Sequence, residues 1–379
     1  MIHVSFFPRS RYCLLAGVWL LTALPASGAQ RPPAPTRVPL PRAVATRYAE
    51  LDRIARDLPD HRAGSVPLLA ASLGARARTN DEKARLLFAW LACHVAYDAE
   101  ALRPGARPSD SIPAAVLQRR RGVCQGYADL FTAVARQMKL PARTVKGFGR
   151  TSRARSGGAA NHAWNVYQAN DGWHLVDATW GAGSVDNYRF ARSFSPFWFD
   201  VAPAKFIFSN LPEDSAWQLL PRALSCAEFG QLPYAPAALL QLGPWEEKLP
   251  TWTAGTPQAT MSALPTAFDA DVAVQIEQVP LWAELPRRQP VVFRFSVPPG
   301  VELNVEANGR YTVLEGRGSS RQTTVTPVSG NVTVWVGPAA GSTGSSRVAL
   351  LQYRVPAVVP LRVARWQAAP ADTVAYLRR

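Results

Sequence analysis

The hydrophobic pattern of the chain changes once, near residue 266, and this change divides the sequence into two kinds of folding unit. Before it, apolar residues recur at helical spacing in long segments and alternate in a few strand-like ones. After it, short runs rich in Val, Thr and aromatic residues are separated by Gly, Pro, Asn and Ser. A length of 379 residues also suggests two or three domains. The sequence therefore predicts a mixed helix-and-sheet unit followed by an all-β unit.

Helices and a hairpin are expected in the first unit. Residues 80–97 follow a favourable N-cap at Asn80, and residues 124–138 carry the clearest amphipathic pattern. A weaker helix is expected over 42–57. Strands are predicted at 142–149, 162–168 and 173–177, and Asn170-Asp171-Gly172 is typical of a turn between the last two. Helices followed by antiparallel strands favour an α+β fold.

The second unit reads as a series of short strands. Their even spacing favours a β-sandwich of immunoglobulin type over residues 257–379, although the two cysteines typical of that fold are absent. Residues 199–256, which are rich in proline and aromatic side chains, are interpreted as a packed connector. The predicted strands are 271–276, 290–297, 301–307, 310–315, 322–327, 331–336 and 347–355.

The N-terminus predicts export. Arg9 and Arg11 precede an apolar run from Leu14 to Leu24, and small residues up to Ala29 offer a cleavage site. We therefore expect a signal peptide over 1–29, a proline-rich leader over 30–41, no membrane span in the mature chain, and a periplasmic or secreted protein. A retained anchor is the alternative interpretation.

Charge and cysteine content restrict the partners and the chemistry. The formal net charge is +15, mostly from scattered arginines, which is compatible with binding to anionic envelope polymers but shows no stripe typical of nucleic-acid binding. Cys93, Cys124 and Cys226 remain after signal removal, so one thiol stays free even if two pair. A Cys93–Cys226 bridge with a reactive Cys124 is one interpretation.

Cys124 begins the amphipathic helix. Free N–H groups and the partial positive charge at a helix start favour a thiolate, which is the nucleophilic form of cysteine. Gly122 and Gly126 are expected to keep side chains away from the sulfur. A small buried residue at a helix start is the ordinary alternative.

His162 and Asp177 flank the predicted hairpin. His162 opens one strand and Asp177 closes the next, so both are expected at the same end of the sheet. A buried carboxylate needs a partner, and an imidazole supplies one. Together the three residues predict a Cys124 nucleophile, a His162 base and an Asp177 that orients the histidine. The remaining histidines are expected to be structural or exposed.

Metal chemistry is a poorer interpretation. The sequence has no CxxC pair, HExxH, EF-hand loop or phosphate-binding glycine loop. A zinc site from Cys93, His94, Cys124 and His162, and with it a metal-dependent hydrolase, lacks the usual ligand spacing. We expect no cofactor and no metal.

Three separated motifs resemble the transglutaminase-like superfamily, whose core is similar to papain-type proteases. They are RGVCQGYADLF at 121–131, NHAWNV at 161–166 and WHLVDATWG at 173–181. Trp90 and Tyr97-Asp98 are similar to the preceding helix and its end. The aromatic and proline-rich motifs of 198–229 resemble the kyphoscoliosis peptidase group, in which an immunoglobulin-like module follows the core.

The resemblance implies a papain-like catalytic domain over 42–198 in which Cys124, His162 and Asp177 occupy the catalytic positions. It implies a cysteine peptidase or transglutaminase-like acyltransferase that acts on protein or peptide amides through a thioester. The backbone N–H of Cys124 would hold the oxyanion, with Trp90 or Gln118 as candidates for the second donor. An inactive scaffold or binding protein is the alternative, because the family contains such members.

Overall fold

The computed structural model describes residues 42–150, 160–249, 263–270, 273–338, 347–357 and 376–378. The signal peptide expected at 1–29 and the leader at 30–41 lie outside these residues. No helix in the described ranges is long and apolar enough to cross a membrane.

The first module packs helices against an antiparallel sheet. Its helices are α1 (Arg42–Arg56), α2 (Val66–Gly74), α3 (Asn80–His94), α4 (Pro113–Arg119), α5 (Cys124–Gln137), α6 (Ala178–Ala182) and α7 (Pro203–Phe206). Its strands are β1 (Ala96–Tyr97), β2 (Arg121–Gly122), β3 (Ala142–Gly149), β4 (His162–Ala169), β5 (Gly172–Val176), β6 (Gly183–Asp186), β7 (Arg189–Arg192), β8 (Phe199–Val201) and β9 (Asn210–Pro212).

The main sheet of this module has the order β8-β5-β4-β3-β9, and all of its neighbours are antiparallel. Strand β4 is central, and its side chains are buried except at Gln168. Helix α5 lies against β3 and β4 and buries the apolar face that the sequence predicts, including Tyr127, Leu130 and Phe131. The core therefore lies between α5, α3 and the sheet.

The N-cap of helix α3 lies one residue earlier than the sequence predicts. The hydroxyl of Thr79 accepts a hydrogen bond from the Glu82 N–H, so Thr79 is the N-cap and Asn80 is the first helical residue. Asn80 instead donates to the Gln168 carbonyl of β4. The Asn80 side chain, which the sequence predicts as the N-cap, therefore links helix α3 to strand β4.

The second module is a sandwich of two antiparallel sheets. One has the order β10-β17-β16-β13-β14 and the other β15-β12-β11-β18. Alternating residues such as Val291, Phe293 and Phe295 are fully buried between them. The strands are β10 (Thr266–Ala267), β11 (Gln275–Pro280), β12 (Val291–Ser296), β13 (Val301–Ala307), β14 (Arg310–Val313), β15 (Ser320–Val325), β16 (Gly330–Pro338), β17 (Val348–Val355) and β18 (Tyr376–Arg378). The expected strand at 271–276 is displaced to β11.

The segment between the modules belongs partly to each of them. Strands β8 and β9 complete the first sheet, which therefore extends to Pro212 and past the boundary expected at residue 198. Helices α8 (Cys226–Gln231) and α9 (Ala237–Leu242) contribute Phe229, Leu239 and Leu240 to the apolar core of the sandwich. Residues 199–249 are thus shared by two cores.

Candidate active site

Cys124 is the first residue of α5, and Val123 before it is extended. The thiol is half-buried and hydrogen-bonded to the His162 ring, and the sulfur also accepts from the Ala163 N–H. Burial raises the pKa of the thiol, but the hydrogen bond to His162 and the imidazolium charge outweigh burial and lower it below its ordinary value. The site therefore favours the thiolate.

His162 and Asp177 meet at one end of the sheet. Strand β4 begins at His162, and Asp177 follows β5 directly. His162 Nε2 lies 2.7 Å from Asp177 Oδ2, and both side chains are buried. Burial lowers the pKa of His162, but the Asp177 charge and hydrogen bond, together with the Cys124 sulfur, raise it to about 10. The imidazole is therefore held in its charged form.

The Asp177 carboxylate has three hydrogen-bond partners. Its Oδ1 accepts from the Trp180 N–H at 3.0 Å, which caps α6. Its Oδ2 accepts from Asn210 Nδ2 at 3.2 Å as well as facing His162. Ser209 Oγ in turn donates to Asn210 Oδ1 at 2.7 Å, so the amide of Asn210 is held with its nitrogen toward the carboxylate. Asp177 is thus fixed in position from two directions.

Asn165 fixes the helix that carries the thiol against the strand that carries the imidazole. Its Nδ2 donates to the Ala128 carbonyl of α5 at 2.9 Å and to Thr132 Oγ1 at 3.1 Å. Asn165 lies three residues after His162, and Ala128 lies four after Cys124. Because Asn165 is buried, breaking these bonds would leave polar groups unpaired.

Trp180 covers one face of the imidazole. The two rings are stacked, with centroids 4.5 Å apart and planes 13° from parallel. An aromatic face attracts a cationic ring and keeps water from it. Gly149 allows close packing near the same histidine, because a Cβ there would lie 2.8 Å from His162 Cβ.

A cavity of about 500 Å³ opens beside the histidine, a size within the range of ligand pockets. Its walls include Tyr97, His162, Trp180 and Trp198 from the first module, and Tyr234 from the segment between the modules. The apolar rings give it a hydrophobic lining, and the histidine supplies a polar group at one wall. Such a space could admit a side chain or a short stretch of peptide.

Trp90 and Gln118 are the side chains predicted as second oxyanion donors. Trp90 is fully buried on α3, stacks on His94 and lies under the Arg120 guanidinium. Gln118 is exposed on α4. Neither is among the described residues that line the cavity. Both therefore stay predictions from sequence.

Two further expectations need correction. A Cβ at Gly122 or Gly126 would meet Val116 of α4, so these glycines admit a packed helix rather than clearing space around the sulfur. Cys93 and Cys226 are free thiols, the first half-buried on α3 and the second exposed at the start of α8. The bridge between them is not formed.

His174 and His94 have structural partners. His174 lies between Asp200 and Asp171, at 2.7 and 2.9 Å, and His94 contacts the Ala55 carbonyl at 3.0 Å. In the described residues, no group of three or more His, Cys, Asp or Glu side chains is arranged to hold a metal ion.

Sequence reasoning missed Asn210 and did not assign a role to Trp180 or Gly149. Trp180 lies in the motif WHLVDATWG, and Asn210 lies within 198–229, the range whose motifs resemble the kyphoscoliosis peptidase group. A polar side chain among apolar neighbours was the available signal for Asn210, because a buried amide needs a partner.

Comparison with known proteins identifies the class of this module. Residues 68–178 match the model of the transglutaminase-like superfamily, and the chain therefore contains a transglutaminase-like domain. The predicted resemblance and the α+β fold with a β-rich C-terminal module are confirmed.

Particular relatives support the same assignment. The kyphoscoliosis peptidases of Mus musculus and Homo sapiens are each 34% identical over 167 residues, which is 42% of this chain and 25% of theirs. Hillarin of Drosophila melanogaster is 23% identical over 215 residues, 52% of this chain and 26% of its own. The chain thus spans about a quarter of the length of these curated relatives.

Among solved structures, the periplasmic domain of TgpA from Pseudomonas aeruginosa is similar. It is 26% identical, with 35% of this chain and 48% of that chain covered and a TM-score of 0.25.

Proposed function

We propose that this protein is an exported thiol enzyme that transfers acyl groups from protein or peptide amides through a thioester on Cys124. His162 is the base, and Asp177 orients it. The observation that carries the proposal is the buried His162–Asp177 pair at 2.7 Å, with the Cys124 thiol hydrogen-bonded to the same imidazole ring. The transglutaminase-like domain supports a reaction of this class.

The charges of the three groups support a nucleophile that is ready before substrate arrives. A lowered thiol pKa and a raised imidazole pKa describe a thiolate–imidazolium pair. Asp177 contacts Nε2, which leaves Nδ1 for the sulfur. The carboxylate therefore sets both the charge and the orientation of the ring.

The reaction follows from these roles. The sulfur forms a bond to the amide carbon, and the electron pair of the C=O bond moves to oxygen. When the C=O bond re-forms, the C–N bond breaks and the amine leaves with the Nδ1 proton of His162. Water or a second amine then attacks the thioester and gives a proton to His162, and the thiolate is regenerated. Water gives hydrolysis or deamidation, and an amine gives cross-linking.

The place of action is part of the proposal. The signal-like sequence over 1–29 supports export to the periplasm or beyond the cell, and the net charge of +15 supports contact with anionic envelope polymers.

Thiol alkylation at different pH values tests the resting pair. Cys124 is expected to react with iodoacetamide at about pH 6, on the order of ten times faster than Cys93, whose pKa is raised by burial. The Cys124 rate should fall only as the pH drops through its lowered pKa. Tryptic mass spectrometry would measure each site.

Two histidine variants serve as test and control. In His162→Ala the onset of Cys124 alkylation should move to higher pH, whereas in His61→Ala, which changes an exposed histidine, it should stay in place. An unchanged profile in His162→Ala would remove the basis for the thiolate–imidazolium pair.

Incubation with glutamine-containing peptides and an amine donor would identify the reaction. Peptide cleavage, a mass gain from deamidation, or incorporation of the amine each names one outcome, and Cys124→Ala should abolish it. If wild type and Cys124→Ala are equally inert in every assay, the protein is a scaffold or binding protein.

A further inference from the structure

Tyr97 is held next to the segment that leads into the cysteine. Strands β1 and β2 pair in parallel, with Tyr97 opposite Gly122. The pairing is extended by the Asp98 N–H, which donates to the Gly122 carbonyl at 3.0 Å. Gly122 lies two residues before Cys124. The position of Tyr97 relative to the start of α5 is therefore fixed by backbone hydrogen bonds and not by side-chain packing alone.

The Tyr97 side chain reaches the candidate active site. It is half-buried and lines the same cavity as His162 and Trp180. The backbone N–H of Cys124 faces the phenol oxygen, and the sulfur and the Asp177 carboxylate are close enough to act on its charge. The N–H expected to hold the oxyanion thus already has an acceptor.

This arrangement leaves the phenol as the group that meets the substrate. Because the Tyr97 oxygen accepts from the Cys124 N–H, its own proton is available to a group in the cavity. Burial and the neighbouring negative charges raise the pKa of Tyr97 well above its ordinary value. The hydroxyl therefore keeps its proton and acts as a hydrogen-bond donor throughout the range in which enzymes work.

We propose that the Tyr97 hydroxyl is the oxyanion donor of this site, polarised by the Cys124 backbone N–H behind it. The proposal rests on the acyl-transfer function proposed above. It assigns the stabilisation of the oxyanion to a side chain that lines the cavity together with His162. Tyr97 would touch the reacting oxygen directly.

The step balances without transfer of the phenol proton. As the Cys124 sulfur bonds to the carbonyl carbon, the C=O electron pair moves to oxygen, and Tyr97 donates a hydrogen bond to that oxygen. The O–H bond of the phenol stays intact. When the electron pair returns, the C–N bond breaks, and His162 supplies the proton that leaves with the amine. Tyr97 ends the step as it began.

Two reactions of the Cys124 thiol distinguish oxyanion stabilisation by Tyr97 from a purely structural role of this residue. Alkylation by iodoacetamide displaces iodide and forms no oxyanion, whereas acylation by p-nitrophenyl acetate passes through one. In Tyr97→Phe, alkylation of Cys124 should keep its rate within about twofold and its pH profile, and the acylation rate should fall by about 10²–10³. Near-ultraviolet circular dichroism would verify the fold of each variant.

Tyr188→Phe provides the matched control, because it removes a phenol hydroxyl from a side chain exposed at the surface. It should acylate at the wild-type rate. If Tyr97→Phe also acylates at that rate, the proposal is overturned while the enzyme assignment stands. A parallel loss of alkylation and acylation would make Tyr97 a structural residue and overturn it equally. If wild type itself fails to acylate, the proposed function fails first and Tyr97 has no oxyanion to stabilise.

Discussion

The two modules differ in what they bury. The transglutaminase-like module encloses ionisable side chains, among them the His162–Asp177 pair and the Arg85–Asp52 ion pair at 2.6 Å. Among the described residues of the sandwich, the buried polar side chains carry no charge and include Gln278, Asn304 and Thr333. Burial of charge costs free energy unless the charge is paired. The first module bears this cost, and the sandwich does not.

The buried charges of the first module include the residues of the proposed active site. A buried carboxylate next to an imidazole shifts the pKa of the ring, which an apolar core cannot do. The sandwich resembles a core built for stability, with rings such as Phe293 and Tyr353 packed edge to face at 5.5 Å. The comparison predicts that substitutions in the first module alter reactivity more than stability, and that those in the sandwich do the reverse.

The largest effect is expected from Asp177→Asn. The amide preserves the volume but removes the charge that holds His162 protonated, and it favours the wrong ring tautomer. Acylation of Cys124 should fall by about 10⁴, measured as release of p-nitrophenolate in stopped flow. Circular dichroism should show an intact fold. Near-normal acylation in a folded variant would show that the buried charge of Asp177 does not control the reactivity of Cys124.

Phe293→Ala tests the sandwich, where the comparison predicts an effect on stability and not on reactivity. Removal of a fully buried ring from the sandwich should lower the free energy of unfolding by about 3–5 kcal/mol, because it leaves a cavity. At temperatures where the protein stays folded, acylation of Cys124 should remain within about twofold of wild type. Denaturant unfolding and the acylation assay on the same sample would check both. A large loss of acylation would mean that the two cores are not independent.

Asn210→Ala should produce an intermediate effect on both quantities. Asn210 is buried and donates to Asp177 at 3.2 Å, and a hydrogen bond to a charged group contributes about 1.5–3 kcal/mol. We expect acylation to fall about tenfold and the pH profile of Cys124 alkylation to shift upward, because the carboxylate is held less firmly.

Asn210→Asp sharpens this test. It places a second carboxylate against Asp177 and should be worse than alanine in both assays, since like charges repel. Equal behaviour of the two variants would indicate that Asn210 contributes packing only.

The smallest effects compare two glycines. A Cβ at Gly149 would lie 2.8 Å from Cβ of the buried His162, whereas at Gly337 it would lie 2.9 Å from Cγ of the flexible Arg347 side chain. Gly149→Ala should cost about 1–3 kcal/mol and slow acylation, and Gly337→Ala should cost less than about 0.5 kcal/mol. Thermal unfolding of the pair would measure the difference. Equal costs would show that the histidine can shift as freely as an exposed arginine.

Local patterns predicted the elements that carry the site. Helix 124–138 and the hairpin of 162–168 and 173–177 were expected within about a residue or two of α5, β4 and β5, since helical periodicity and turn residues act over short distances. The juxtaposition of His162 and Asp177 followed from the antiparallel hairpin. These inferences needed no information from distant parts of the chain.

Contacts between distant segments could not be predicted in this way. Asn210 reaches Asp177 across 33 residues, through a strand in an aperiodic segment. The resemblance makes Trp90 a candidate donor, but helix α3 is buried on all sides in this region, and the indole stacks on His94. In the sequence, Pro113 is the only residue that indicates the short helix α4. This helix nevertheless packs so close to Gly122 and Gly126 that neither position has room for a side chain.

Strand β9 has a practical consequence for dividing this protein. It contributes Asn210 to the site, while its neighbours Phe208 and Leu211 belong to the apolar core of the sandwich. The segment that matches the superfamily model stops at residue 178, one position after Asp177. A fragment trimmed to that segment would retain Cys124, His162 and Asp177 and lose the amide that anchors the carboxylate. The smallest piece worth expressing is therefore set by the supporting strand, which begins 32 residues further along the chain.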